Sequence, residues 1–261
     1  MHNRTANSLQ ISEIVISRTK PSSEADLGLT GGSITTLTKQ FESLLEKHAF
    51  EGNGLENRKS FTNNLVSSIS IIMNLECGWN EIHAEKLRYQ TSSDLLVFID
   101  SVGFILGKYL QTSKSNCEEN LLDFAADHVS LLVKNSLLTS SNSCFSFEAS
   151  GSRGSICIPE SSSNTMDCSV QVATSYSTDS SKSNIFPNFL SREPQELSFG
   201  DQLIGLTLNN RSFSSASPVV ITFIHDQKIV RIIVKGLLLN SSISFRQRML
   251  TIVVFFGKSS N

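Results

Sequence analysis

From Ser33 onward the apolar residues of the chain recur at intervals of three and four. Ile34, Leu37, Phe41, Leu44, Leu45 and His48 fall on one helical face, which predicts a helix over 34–49 with Ser33 as its N-cap. Glu51-Gly52-Asn53-Gly54 interrupts the pattern. Phe61, Leu65, Ile69, Ile72 and Met73 then predict a second helix over 58–76, ended by Gly78. Trp79, Ile82, Leu87 and Tyr89 predict a shorter one over 79–90. The strongest segment is 94–110, where Leu95, Phe98, Ile99, Val102, Ile105, Leu106 and Tyr109 make a broad apolar face.

After Lys114 the period changes from helical to alternating. Val129, Leu131 and Val133 alternate with Ser130, Leu132 and Lys134, and Phe145 and Phe147 with Ser146 and Glu148. Ile156 and Ile158 flank Cys157 ahead of Pro159, and Val170 and Val172 flank Gln171. Residues 203–208 and 218–224 are two further strand candidates. Short strands separated by turn signals every 8–15 residues predict an antiparallel β-sandwich. Helices first and strands afterwards predict an α+β fold with segregated layers. The expected boundaries are a flexible leader over 1–32, a helical subdomain over 33–114, a β-sandwich subdomain over 115–227 and a divergent tail over 228–261.

Composition narrows the function classes. Lys plus Arg 22 against Asp plus Glu 24 gives a net charge of −2, which argues against a general nucleic-acid binder or a basic membrane-surface protein. The 45 serines cluster in the second half, where they favour turns between strands. Residues 1–20 lack the apolar core of a signal peptide, and no uninterrupted run of 18 apolar residues occurs. Residues 229–256 are apolar but broken by Arg231, Lys235, Arg246 and Arg248. The chain as written is therefore expected to carry neither a signal peptide nor a membrane span.

Candidate chemistry is sparse. Cys144, Cys157 and Cys168 are spaced too widely for a Cys-x-x-Cys metal or redox motif; in an oxidising compartment they are possible disulfide cysteines, with the pairing open. Asn3, Asn210 and Asn240 begin Asn-x-Ser/Thr sequons and are glycosylation candidates. Asp123, Asp127 and His128 would suit metal or acid–base work if clustered on a helix turn, but read more simply as an exposed segment entering a strand. His83, between Cys77 and Glu85, lacks the further ligand a metal site needs and reads as a solvated helix residue. The amides of residues 29–33 lead into a helix and could meet an anion, with a plain cap as the simpler reading. Residues 150–154 (SGSRG) place glycine at the wrong offsets for a nucleophile elbow and read as a turn. Lys39, Lys47, Arg58 and Lys59 alternate with acids as a solvated helix face. No catalytic residue, cofactor site or metal site is expected.

The order of segments resembles the GAIN domain, the extracellular module ahead of the membrane-spanning part of adhesion-class G-protein-coupled receptors and polycystins. The resemblance covers roughly 33–227. It rests on Phe41-Glu42-Ser43-Leu44-Leu45 and on 93–110 (SDLLVFIDSVGFILGKYL), similar to a family helix whose apolar residues flank a central acidic one. In the second half it rests on 129–133 (VSLLV), Ile156-Cys157-Ile158-Pro159, 200–209 (GDQLIGLTLN) and 218–225 (PVVITFIH). The last string is the most specific. The resemblance implies a helical subdomain followed by a β-sandwich, a non-catalytic regulatory role outside the cell, and protein partners or a ligand of the parent receptor at the plasma membrane.

The departures matter equally. In the family the His-ended strand leads into a cysteine- and tryptophan-bearing self-cleavage site, where a hydroxyl attacks the peptide bond beside an activating His. Here no Trp or Cys follows Cys168, no His-Leu-Ser/Thr triplet occurs, and His225 is followed by Asp226-Gln227. Neither cleavage nor a tethered peptide is carried over, and the sandwich is expected to be incomplete at its C-terminal end unless apolar residues within 243–256 pair there. Thr251-Ile252-Val253-Val254-Phe255-Phe256 has the composition of a buried strand. The rival expectation is an intracellular α+β scaffold or adaptor that meets partners through its helices.

Overall fold

The computed structural model describes residues 30–46, 54–113, 120–137, 143–149, 152–158, 168–177, 202–209, 219–225, 228–234 and 249–255. Among the described residues four helices come first: α1 (Gly31–Glu46), α2 (Leu55–Met73), α3 (Glu76–Asn80) and α4 (Glu85–Ser113). Nine strands follow among the described residues: β1 (Asn120–Ala125), β2 (Val129–Leu137), β3 (Ser143–Ala149), β4 (Ser152–Ile158), β5 (Cys168–Ser177), β6 (Gln202–Asn209), β7 (Val219–His225), β8 (Lys228–Val234) and β9 (Met249–Phe255). They make two sheets, β1-β2-β5-β6-β9 and β3-β4-β7-β8, with every neighbouring pair antiparallel. The fold is α+β, a helical region followed by an antiparallel two-sheet sandwich.

Strand alternation explains the layering. On β2, Val129, Leu131 and Val133 join a core shared with the helices, while Leu132 between them joins the core between the sheets. On β5, Val170, Val172 and Tyr176 face the helices and Ala173 faces the second sheet. Because successive side chains point to opposite faces, a sheet covered on both sides must be apolar in both registers. The five-stranded sheet is therefore the middle layer. Helices cover one face; the four-stranded sheet covers the other through Phe145, Phe147, Ile156, Ile158 and Ile221.

The helical layer is tied together locally. Thr30 caps α1: its hydroxyl accepts from the Ser33 amide at 3.3 Å, so the cap lies three residues before the expected Ser33, which occupies the first turn. The helix expected over 79–90 is instead two pieces. Trp79 belongs to the five-residue α3, where its indole Nε1–H donates to the Ile72 carbonyl at 2.8 Å; Leu87 and Tyr89 belong to α4. Burying Trp79 just before the 81–84 link and Ile82 within it holds that break in place. Phe41 of α1 stacks on Phe98 of α4, ring centroids 5.2 Å apart.

At 29 residues α4 is long and apolar enough to cross a membrane by length and composition, and half of its most apolar window is buried inside the fold. Gly103 and Gly107 bring it onto the sheet. A Cβ at Gly107 would lie 2.3 Å from Val170 Cγ1, and one at Gly103 would lie 2.7 Å from Val172 Cγ1. The tail contributes one strand to each sheet: β8 pairs with β7, and β9 pairs with β6 from Leu203↔Phe255 to Asn209↔Met249. Both are edge strands. β9 overlaps the 251–256 stretch whose composition predicts a strand, starting two residues earlier and ending one sooner; β8 and β1 are strands the periodicity did not mark.

Candidate functional site

The interface between α4 and the middle sheet holds a polar cluster inside an apolar surround. Asp100 lies midway along α4, 6% exposed. The register of β5 and β6 sets Thr174 opposite Gly205, and Thr207 is two residues further along β6 on the same face. Thr174 Oγ1 donates to Asp100 Oδ1 at 3.1 Å, and Thr207 Oγ1 donates to Oδ2 at 3.2 Å. Gly205 makes the room: a Cβ there would lie 2.5 Å from the Thr174 hydroxyl.

The electrostatics follow from enclosure. Removal from water raises the Asp100 pKa to about 7, and the two threonine hydroxyls offset this only in part; no charged neighbour contributes. Tyr176, two residues along β5 from Thr174, is 1% exposed and its hydroxyl makes no full hydrogen bond. Burial pushes its pKa well above the usual tyrosine value, the Asp100 charge pushes it further, and Thr174 eases the shift slightly. Such a cluster can hold or release one proton near neutral pH.

A second feature lies on the opposite side of the molecule. Cys144 of β3 and Cys157 of β4 are directly opposed, Cα atoms 4.1 Å apart, and form a disulfide. Cys144 is exposed and Cys157 half-buried, since Phe145, Phe147, Ile156 and Ile158 take the inward positions. Cys168 is also disulfide-bonded, while Cys77 on α3 is an exposed free thiol.

Other sequence candidates disperse. Asp123 lies exposed on β1 and Asp127 exposed in the turn before β2, so these residues with His128 sit on a hairpin and not on a helix turn. The alternation of Leu122 and Phe124 inward, with Leu121 and Asp123 outward, makes the segment a strand. The His128 backbone amide donates to Ser70 Oγ of α2 at 2.9 Å. His83 is exposed in the link before α4. The α1 N-terminus meets the protein's own anion, because the Gly31 amide donates to Glu81 Oε2 at 2.9 Å. Arg58 departs from the solvated face: it is buried, its guanidinium 4.0 Å from the centre of the Tyr109 ring. Lys39 is exposed, and Lys59 pairs with Glu56 at 2.9 Å.

Ser152, Arg153 and Gly154 belong to β4, so only the residues between paired Ala149 and Ser152 remain for the expected turn; they lie outside the described residues. The same holds for Lys47, His48 and the sequon residues Asn3, Asn210 and Asn240. Among the described residues no three His, Cys, Asp or Glu side chains are grouped to hold a metal ion. Thr174, Thr207 and Tyr176 were not marked by sequence reasoning, and Asp100 entered only as the acidic residue of a family-like helix. The available signal was that carboxyl inside a broad apolar face. No family model matches the chain, and no curated protein matches it either.

Proposed function

We propose that the chain is an extracellular regulatory and interaction domain fragment of an adhesion-class G-protein-coupled receptor, non-catalytic and without the self-cleavage motif. The observation that carries this reading is the layering: a helical region packed on one face of an antiparallel two-sheet sandwich, in the segment order the GAIN resemblance implies. The Cys144–Cys157 bridge on an outward face supports it, since a structural disulfide persists best in an oxidising compartment. In this role the molecule couples binding or tension outside the cell to the parent receptor at the plasma membrane. Its partners are proteins or a ligand of that receptor, and it needs no cofactor.

The test is made on the endogenous chain, with an antibody to the helical layer. The reading expects a cell-surface protein whose gel mobility shifts on N-glycosidase treatment, with glycan at Asn210 or Asn240 and with Cys144 and Cys157 recovered as a disulfide peptide. An unglycosylated cytosolic chain with both cysteines reduced would overturn it in favour of an intracellular scaffold.

A further inference from the structure

We propose that Asp100 makes the seating of α4 on the middle sheet a proton-operated latch: the protonated carboxyl holds the helix against β5 and β6, and ionisation loosens that seat. The inference stands on placement and is independent of the compartment argued above. Asp100 sits at a helix–sheet contact so close that Gly103 and Gly107 are needed to achieve it. Its two oxygens have one threonine hydroxyl each, Thr174 from β5 and Thr207 from β6. Two neutral donors are poor compensation for a full negative charge withdrawn from water, whereas a neutral carboxyl can donate to one hydroxyl and accept from the other.

Among the described residues the surroundings supply no countercharge. The helix-facing residues of β2 are Val129, Leu131, Val133 and Asn135; those of β5 are Val170, Val172, Thr174 and Tyr176. Tyr176 is the one titratable group among them, and it is neutral over the working range. Gly205 and Thr207 are the neutral members of β6 at the site, and β9 beside it contains no ionisable residue. On α4 the residues one turn away, Leu96, Val97, Gly103 and Phe104, are uncharged. From α1, Phe41 packs on α4 and Lys39 is exposed; from α2, Arg58 is engaged by Tyr109 nearer the end of α4.

The direction is opposite to that of a salt-bridged carboxylate. A carboxyl whose folded pKa lies above its unfolded value contributes stability that is fully present below the unfolded pKa and lost as pH rises through the folded one. Acidification therefore tightens the seat of α4, and the neutral-to-alkaline range relaxes it.

The experiment is hydrogen exchange on the intact wild-type chain at about pH 5.5 and about pH 8, corrected for intrinsic amide rates, with 13C NMR of the Asp100 carboxyl alongside. Protection of backbone amides in 97–104 and 170–176 is expected to fall about thirtyfold between the two conditions, the ratio that a rise from 3.8 to about 7 gives across that interval. Asp100→Asn is expected to abolish this difference. The carboxyl resonance, which needs no variant, is expected to titrate near neutrality. A carboxyl midpoint in the ordinary carboxylate range, or equal protection at the two pH values, would overturn the latch.

Discussion

The two faces of the middle sheet are built on different principles. The face toward the second sheet is mainly aliphatic and aromatic: Leu132, Ala173, Ile204, Leu206 and Leu208 meet Phe145, Phe147, Ile156, Ile158 and Ile221, with the neutral Ser169, Gln171 and Ser175 of β5 enclosed on the same side. The face toward the helices has a larger apolar core, but it is also the face of close approach and of an enclosed carboxyl, with Gly103 and Gly107 against Val172 and Val170, and Asp100 against two threonines. One interface is stabilised mainly by apolar volume, its enclosed polar groups on β5 being neutral. The other adds a titratable group whose protonation changes how well its halves fit. Substitutions on the two faces should therefore respond to different variables: size on the first, size and pH on the second.

The largest effect is expected on the volume-driven face. Leu206→Ala and Ile156→Ala each remove a fully buried side chain and should cost about 2–5 kcal/mol in denaturant unfolding, with little dependence of that loss on pH. Next is Gly107→Ala. On an exposed helix this exchange would stabilise by about 1 kcal/mol. Here the new methyl meets Val170 at 2.3 Å, so a loss of about 1–3 kcal/mol is expected, and a gain would show that α4 does not approach the sheet as described.

The pH effect follows in size. The unfolding free energy of the wild type relative to Asp100→Asn should fall by about 2 kcal/mol between about pH 5.5 and about pH 8, most of it by neutrality, as the carboxyl passes through a folded pKa of about 7. Parallel pH profiles for the two proteins would remove the distinction between the faces. Smallest is Thr30→Ala, which deletes the side-chain cap of α1 and should cost about 1 kcal/mol, read as a modest drop in thermal midpoint.

The particular elements show what the sequence could and could not declare. α1, α2 and the body of α4 were legible because each has one buried stripe, and β2 to β7 were legible as alternating or short apolar runs between turn residues. β1 was not, because it is an edge strand with Phe124 as its one fully buried residue and Leu121 exposed. β8 was not, because its apolar run lies in a tail with no family likeness, and its pairing depends on β7. The break at 81–84 was missed because Trp79, Ile82 and Leu87 satisfy helical spacing across it; what interrupts the helix is burial of the indole against α2, a tertiary fact. The polar cluster was least legible. Asp100 finds Thr174 and Thr207 at sequence separations of 74 and 107, and no local pattern carries such a relation.

Helices and sandwich share one structural unit through the middle sheet. Trp79 is the single tryptophan, buried in the helical layer, so its fluorescence reports on that layer alone. The direct measurement is equilibrium unfolding of the whole chain followed by Trp79 fluorescence and, in parallel, by amide exchange of the β3–β4 hairpin on the far side of the sandwich. One coincident transition is predicted for both probes, shifted together by Gly107→Ala. Two separated transitions, with Gly107→Ala moving only the tryptophan signal, would contradict it.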